Sequence, residues 1–412
     1  MTSKSYMSPS QTPDSRSRIE DLPTWQPSTR LIHGGTLRSE FCETGEAVFL
    51  NSGYVYATAE EAEAAFDGTT ERYVYSRFRN PTVQMFEDRL ALLEGAPACR
   101  ATASGMAAVF AALACQLEAG DRVVASRALF GSCAHIVTQI LPRYGVTATI
   151  VEGTDLDAWT AALATPAKVV FLETPSNPGL EVIDLPAVCA LAHAAGARVV
   201  VDNVFATPIL QSPLTLGADV VVYSATKHID GQGRCLGGAV LGDRAFIEDE
   251  LGLFLRHTGP SLSPFNAWVL LKGLETLELR VERHCATALA VARYLEGRGD
   301  VPTVRYPGLE SHPQHALAAR QMKAGGPIVA FDVGSKERAF GLMNALRLVT
   351  ISNNLGDAKS LICHPATTTH QKLSPEEKTA QGITPGFLRL SVGLEAAEDL
   401  VADLGRALDS MA

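Results

Sequence analysis

The sequence predicts an α/β fold, with a mainly parallel sheet wrapped in helices on both faces and a smaller α+β domain after it. Three observations carry this. Between about residues 85 and 265, short β-branched apolar runs alternate with alanine-rich stretches of helical spacing, the pattern of βα units. The runs are apolar at nearly every position rather than at alternate ones, as strands buried on both faces require. Beyond Val304 the alternation thins to a few strand candidates with helices between and after them.

Taken in order, the start from Met1 to about Pro27 is rich in Ser, Thr and Pro and has no apolar core, so it reads as an extended or disordered arm. Strands are expected at Arg122–Ala125, Ala148–Val151, Lys168–Leu172, Val199–Val201, Val220–Val222 and Gly238–Leu241, with a helix such as Ala187–Ala195 between neighbours. From Phe265 to Glu296 there is no proline, and leucines at 270, 271, 274, 277 and 279 predict one or two long helices leading into the second domain. Strands should follow at Pro327–Asp332 and Phe387–Val392. The expected division is an arm at 1–75, an α/β domain at 76–270 and a C-terminal α+β domain at 271–412.

Composition narrows the function. A chain of 412 residues, 46% hydrophobic and 19% charged, has the length and balance of an ordinary two-domain globular protein. A net charge of −10 argues against nonspecific binding to nucleic acid or anionic membrane, and no apolar stretch approaches membrane-spanning length. Without a signal-peptide core the chain is expected to be cytoplasmic. Its eight cysteines are scattered singly with no CxxC pair, which reads as free thiols. His312 and His315 flank Pro313 without the helical, acidic context of a zinc site, so no metal is expected.

The chemistry concentrates at strand ends. The run Ala218–Val222 is followed by Tyr223-Ser224-Ala225-Thr226-Lys227, which places Lys227 where open parallel sheets bind ligands. Burial favours the neutral amine, and a neutral amine condenses with an aldehyde. The aldehyde that this points to is pyridoxal phosphate, although the segment alone is equally that of a surface lysine beyond a strand. Asp202 ends the apolar run Val199–Val201 and supplies the carboxylate that would keep a pyridine nitrogen protonated; its other reading is a helix N-cap. Ser104-Gly105-Met106 looks like a helix start, which binds anions, and Ser224 and Thr226 add hydroxyls for a phosphate. Arg389, between Leu388 and Leu390, must point outward or meet a buried anion. Gly231-Gln232-Gly233-Arg234 follows the lysine segment and opens no βαβ unit, so it is read as backbone lying close to the pocket rather than as a dinucleotide loop.

Seven segments occur in the order found in the Cys/Met-metabolism family of fold-type I pyridoxal phosphate enzymes, the cystathionine γ-synthase-like group. They are Tyr75–Thr82, Ser104–Met106, Pro175–Pro178, Val201–Asn203, Ser224–Lys227, His364–Thr367 and Leu388–Gly393, and over roughly residues 30 to 410 the chain resembles that family. The resemblance implies that Lys227 bonds to the cofactor and shuttles protons, that Asp202 pairs with the pyridine nitrogen, and that Gly105, Met106, Ser224 and Thr226 hold the phosphate. It also implies that Asn177 binds the phenolic oxygen, that Phe130 stacks on the ring where many members carry tyrosine, and that Arg389 and Asn354 bind the substrate. Tyr75 and Arg77 match residues that reach a neighbouring subunit's phosphate, which implies an arm contacting that neighbour, shared sites and a homotetramer built from dimers.

Within the family, the stretch Ser224–Arg234 together with Phe130 and Asn354-Leu355-Gly356-Asp357 resembles the sulfhydrylase branch. That implies γ-replacement: succinate leaves O-succinylhomoserine, sulfide takes its place, and homocysteine forms. Cystathionine γ-synthase, the sulfhydrylases that use O-acetylhomoserine, and the γ-lyases of the same family are the alternatives. Ser132, standing where methionine γ-lyases carry cysteine, weighs against the last of these.

Overall fold

The computed structural model describes residues 25–411, so most of the arm expected from Met1 to about Pro27 lies outside the described residues. Strands β1 (Ala98–Thr102), β2 (Arg122–Ser126), β3 (Thr147–Val151), β4 (Val169–Glu173), β5 (Arg198–Asp202), β6 (Val220–Tyr223) and β7 (Gly238–Gly242) form one seven-stranded sheet in the order β1-β7-β6-β5-β4-β2-β3. Strand β7 runs antiparallel to both of its neighbours, and the contacts from β6 through β3 are all parallel. Strands β4, β5 and β6 have every residue but Arg198 buried, which explains their continuous Val-rich composition.

Helices cover both faces. The helix Pro81–Glu94 begins where Asn80 accepts backbone N–H bonds from Thr82 and Val83. It carries Met85, Phe86 and Leu90 into a core shared with Leu270, Leu271 and Leu274 of the helix Pro264–Leu274. Opposite, Val109 and Leu113 of the helix Gly105–Ala114 pack over Val123, Val220 and Val240.

The second sheet has the order β10-β11-β12-β9-β8, from β8 (Thr303–Arg305), β9 (Ile328–Asp332), β10 (Thr350–Ile351), β11 (Leu361–Cys363) and β12 (Phe387–Ser391). It is antiparallel except for the pair β10 and β11. The long helix Leu277–Glu296 serves both cores. Leu277, Val281 and Cys285 face the large domain, whereas Ala288, Val291, Ala292 and Leu295 face the small one. Among the described residues no helix is long and apolar enough to cross a membrane.

Candidate active site

The carboxyl ends of the parallel strands converge on one polar pocket. Strand β4 ends at Glu173, β5 at Asp202 and β6 at Tyr223, just before Ser224 and Lys227. The helix following β1 starts beside them. Its cap Ser104 accepts the Ala107 N–H at 3.2 Å, and its first N–H groups at Gly105 and Met106 have no intrahelical acceptor. A side chain at Gly105 would place its Cβ 2.5 Å from Ser224 Cβ, so only glycine lets this helix start approach the lysine loop. The Thr226 hydroxyl is already shared with Gly237, whose N–H it accepts at 3.1 Å and whose carbonyl it reaches at 3.2 Å.

Lys227 donates from Nζ to Asn354 Oδ1 at 2.6 Å. Burial, and then the nearby Arg389 guanidinium, pull its amine from the ordinary 10.5 down to about 8. Asn354 reaches the lysine because its loop lies directly on the Lys227–His228 backbone. Gly356 there has φ of +75°, and a Cβ on it would meet His228 N at 2.6 Å.

Arg389 on β12 is 2% exposed. It donates from Nη1 to Asn177 Oδ1 at 2.9 Å and from Nη2 to the Asn353 carbonyl at 2.9 Å, while its Nε has no partner. Neither Lys227 nor Arg389 forms a salt bridge among the described residues. Asp202 accepts the Val204 N–H at 3.1 Å, and burial pushes its carboxyl up to about 6. Phe130, partly exposed, precedes the short helix Gly131–His135.

The pocket thus gathers Lys227, Asp202, Asn177, Phe130, Ser224, Gly105, Met106, Asn354 and Arg389. Tyr75 and Arg77 are not brought to it: Tyr75 is 40% exposed, and Arg77 hydrogen-bonds the Arg256 carbonyl and lies over the rings of Tyr75 and Phe78. Gly231, with φ of +67°, leaves room not for the pocket but for the Arg280 guanidinium, which is bonded to the His228 and Ile229 carbonyls beneath the lysine. His364 is a structural residue, holding Thr367 Oγ1 and the Pro385 carbonyl at 2.8 Å each.

Two buried groups escaped the sequence reading. Glu173 ends an apolar run just as Asp202 does, so the same signal marks it. Glu94 carried no such mark; it accepts the Tyr223 hydroxyl at 2.5 Å, and Asn203 Nδ2 donates to that hydroxyl at 2.7 Å. Burial pushes Glu94 up to about 8, so a neutral acid anchors the carboxyl end of β6.

The donor set fits pyridoxal phosphate on structural grounds. A helix start with Ser224 against it suits a phosphate, a dry carboxylate at Asp202 suits a pyridinium, and an amine softened by burial suits an aldehyde. Comparison with known proteins agrees. The family model described as "Cys/Met metabolism PLP-dependent enzyme" matches residues 28–409. An O-succinylhomoserine sulfhydrylase of Mycobacterium tuberculosis is 58% identical over 92% of this chain and 94% of its own length. One from Pseudomonas aeruginosa is 48% identical over 93% and 95%. A crystal structure of a putative O-acetylhomoserine (thiol)-lyase from Campylobacter jejuni, containing N'-pyridoxyl-lysine-5'-monophosphate, superimposes with a TM-score of 0.90 at 32% identity, covering 93% of this chain and all of that one. The fold-type I architecture, the pocket chemistry and nearly full-length matches thus lead to one conclusion: this chain is an enzyme of the Cys/Met-metabolism family, and it depends on pyridoxal phosphate.

Proposed function

We propose that the enzyme catalyses γ-replacement on O-succinylhomoserine, breaking the Cγ–O bond to succinate and forming a Cγ–S bond from sulfide, with homocysteine as product. The observation that carries the amino-acid part is Arg389, a buried guanidinium with a free Nε and no counter-carboxylate among the described residues. An α-carboxylate would complete it. The choice of acyl donor and nucleophile is supported by the likeness to the two sulfhydrylases.

Bound pyridoxal phosphate supplies an electron sink for the pair left when the substrate's α-proton is removed. Asp202 would hold the pyridine nitrogen protonated, and the Gly105 and Met106 N–H groups with the Ser224 hydroxyl would hold the phosphate, joined by the Thr226 hydroxyl once it turns from the Gly237 carbonyl. Asn177 takes the phenolic oxygen, and Phe130 covers the ring without itself being able to exchange a proton. Lys227, its amine lowered to about 8, is neutral in a substantial fraction near pH 8 and would take the proton from the substrate's α-carbon. Asn354 Oδ1 holds that amine in place between transfers.

Tyr75 and Arg77 lie apart from the pocket of their own chain, which supports a second-subunit role: each pair completes the phosphate site of a partner, in a homotetramer assembled from such dimers. Co-refolding inactive Arg77→Ala with inactive Lys227→Ala subunits should then restore part of the activity, and mixed dimers that stay inactive contradict the shared site. The free cysteines support a cytoplasmic enzyme.

A competition assay offering O-succinyl- and O-acetylhomoserine, each with sulfide and with cysteine, tests the reaction. Homocysteine and succinate should dominate. Cystathionine, or an oxoacid with ammonia, as the main product would refute the assignment.

A further inference from the structure

Glu173 has no part in the chemistry above, yet it is 3% exposed at the heart of the pocket. It stands opposite Asp202 in the parallel register of β4 and β5. Phe171 and Val200, two residues earlier on each strand, belong to one cluster with Leu129 and Cys133, so both acids project from the same face of the sheet. Burial first, and then Asp202 beside it, push the Glu173 carboxyl well above the ordinary range, against the pull of two backbone donors and Arg389. On the adjoining helix, Cys133 is itself pushed up by burial and by these two acids. Among the described residues no cation forms a salt bridge with either acid. A second acid in so dry a place is costly unless it holds something.

What it holds are two loops. Its Oε2 accepts the Phe130 N–H at 2.8 Å, and its Oε1 accepts the Asn177 N–H at 2.9 Å. Asn177 in turn accepts from Arg389 at 2.9 Å. Because each of its oxygens accepts an N–H, the side chain does this as the carboxylate, the form that the two backbone donors and Arg389 favour against its burial, and it joins the loop after β2, the loop after β4 and, through Asn177, the arginine on β12. Glutamine cannot replace it, because an amide has one acceptor oxygen and its NH2 would face an N–H.

Resting on the reading of the site given above, we propose that Glu173 is a positioning residue: its two oxygens hold Phe130 and Asn177 in the mutual placement that the pyridoxal ring requires. Asp202 meets the cofactor, whereas Glu173 acts through the two residues that do.

The test is Glu173→Gln in the holoenzyme, read by the visible circular dichroism of the bound cofactor and by its dissociation constant. Loss of one charge-assisted bond should weaken cofactor affinity about 10-fold and change the dichroic band, with kcat falling more than KM rises. A lower thermal midpoint with band, affinity and kcat all within about 2-fold of wild type would make Glu173 merely structural and overturn the proposal. If the variant does not fold, wild-type enzyme decides: amide exchange at 128–131 and at 175–179 should slow together when the apoenzyme takes up pyridoxal phosphate, and a response in only one segment overturns the coupling. Failure of wild type to take up the cofactor at all would instead strike the reading of the pocket, which these readouts separate from a failure at Glu173.

Discussion

Two groups of buried charge in this molecule are built on opposite principles. Between the helices Pro81–Glu94 and Pro264–Leu274, Arg89 is fully buried and every charge is matched. Arg89 pairs with Glu46 at 2.5 Å and with Glu275 at 3.4 Å, and Lys272 bonds both acids. Burial pushes Glu46 up, but Lys272 and Arg89 outweigh it and hold the carboxyl below its ordinary value. In the pocket, Lys227, Arg389, Asp202 and Glu173 have no such partners among the described residues, and there Lys227 is pulled down while both acids are pushed up. A matched network offsets its own desolvation and is costly to break, whereas unmatched charges in a dry site cost stability until a ligand completes them. Within these two groups the contrast separates charges that serve the fold from charges that serve the chemistry; Glu94, neutral and bonded to Tyr223, serves the fold without belonging to either.

The largest expected effect lies on the pocket side. Lys227→Ala should abolish turnover, since one amine both bonds the cofactor and carries the α-proton, while the protein stays folded and retains pyridoxal phosphate noncovalently. Turnover near wild type would dismiss the assignment. On the other side, Arg89→Met strands part of Glu46 and should lower unfolding free energy by about 3 kcal/mol, as breaking a buried pair does, yet leave KM and the cofactor spectrum unchanged. Denaturant titration beside steady-state kinetics separates the two classes. A smaller effect concerns pH. Because the Lys227 amine lies near 8 rather than 10.5, the neutral form accumulates as pH rises to 8, where it is about half of the total, and at most about a twofold gain is left above it. Stopped-flow capture of pyridoxal phosphate by apoenzyme should accelerate roughly 10-fold per pH unit below 8 and level off above. A rate still climbing between pH 9 and 10 would show an ordinary lysine.

Much of this was legible in the sequence, because the groups at strand ends announce themselves. Lys227 and Asp202 follow Val-rich runs that have to be strands, and Glu173 follows an equally plain one, Val169–Leu172. Arg389 is visible as a cation in an apolar strand. What was not legible depends on distant parts of the chain meeting. Asn354 reaches Lys227 from 127 residues away, over a left-handed glycine that fits only against His228, and Tyr223 meets Glu94 across 129. The passage between the domains is hidden for another reason: the helix Leu277–Glu296 carries one unbroken apolar pattern over both cores, so nothing in its sequence marks where one core ends.

The contrast between matched and unmatched charge is tested most directly at Arg389, the pocket's counterpart of Arg89. Steady-state kinetics and thermal unfolding of the Arg389→Met holoenzyme should give a KM for O-succinylhomoserine raised about 10-fold or more, because an ionic hydrogen bond to the substrate is lost, with a thermal midpoint within a few degrees of wild type. An unchanged KM together with a sharply lowered midpoint would place Arg389 with Arg89 as a residue of the fold, and would contradict the account.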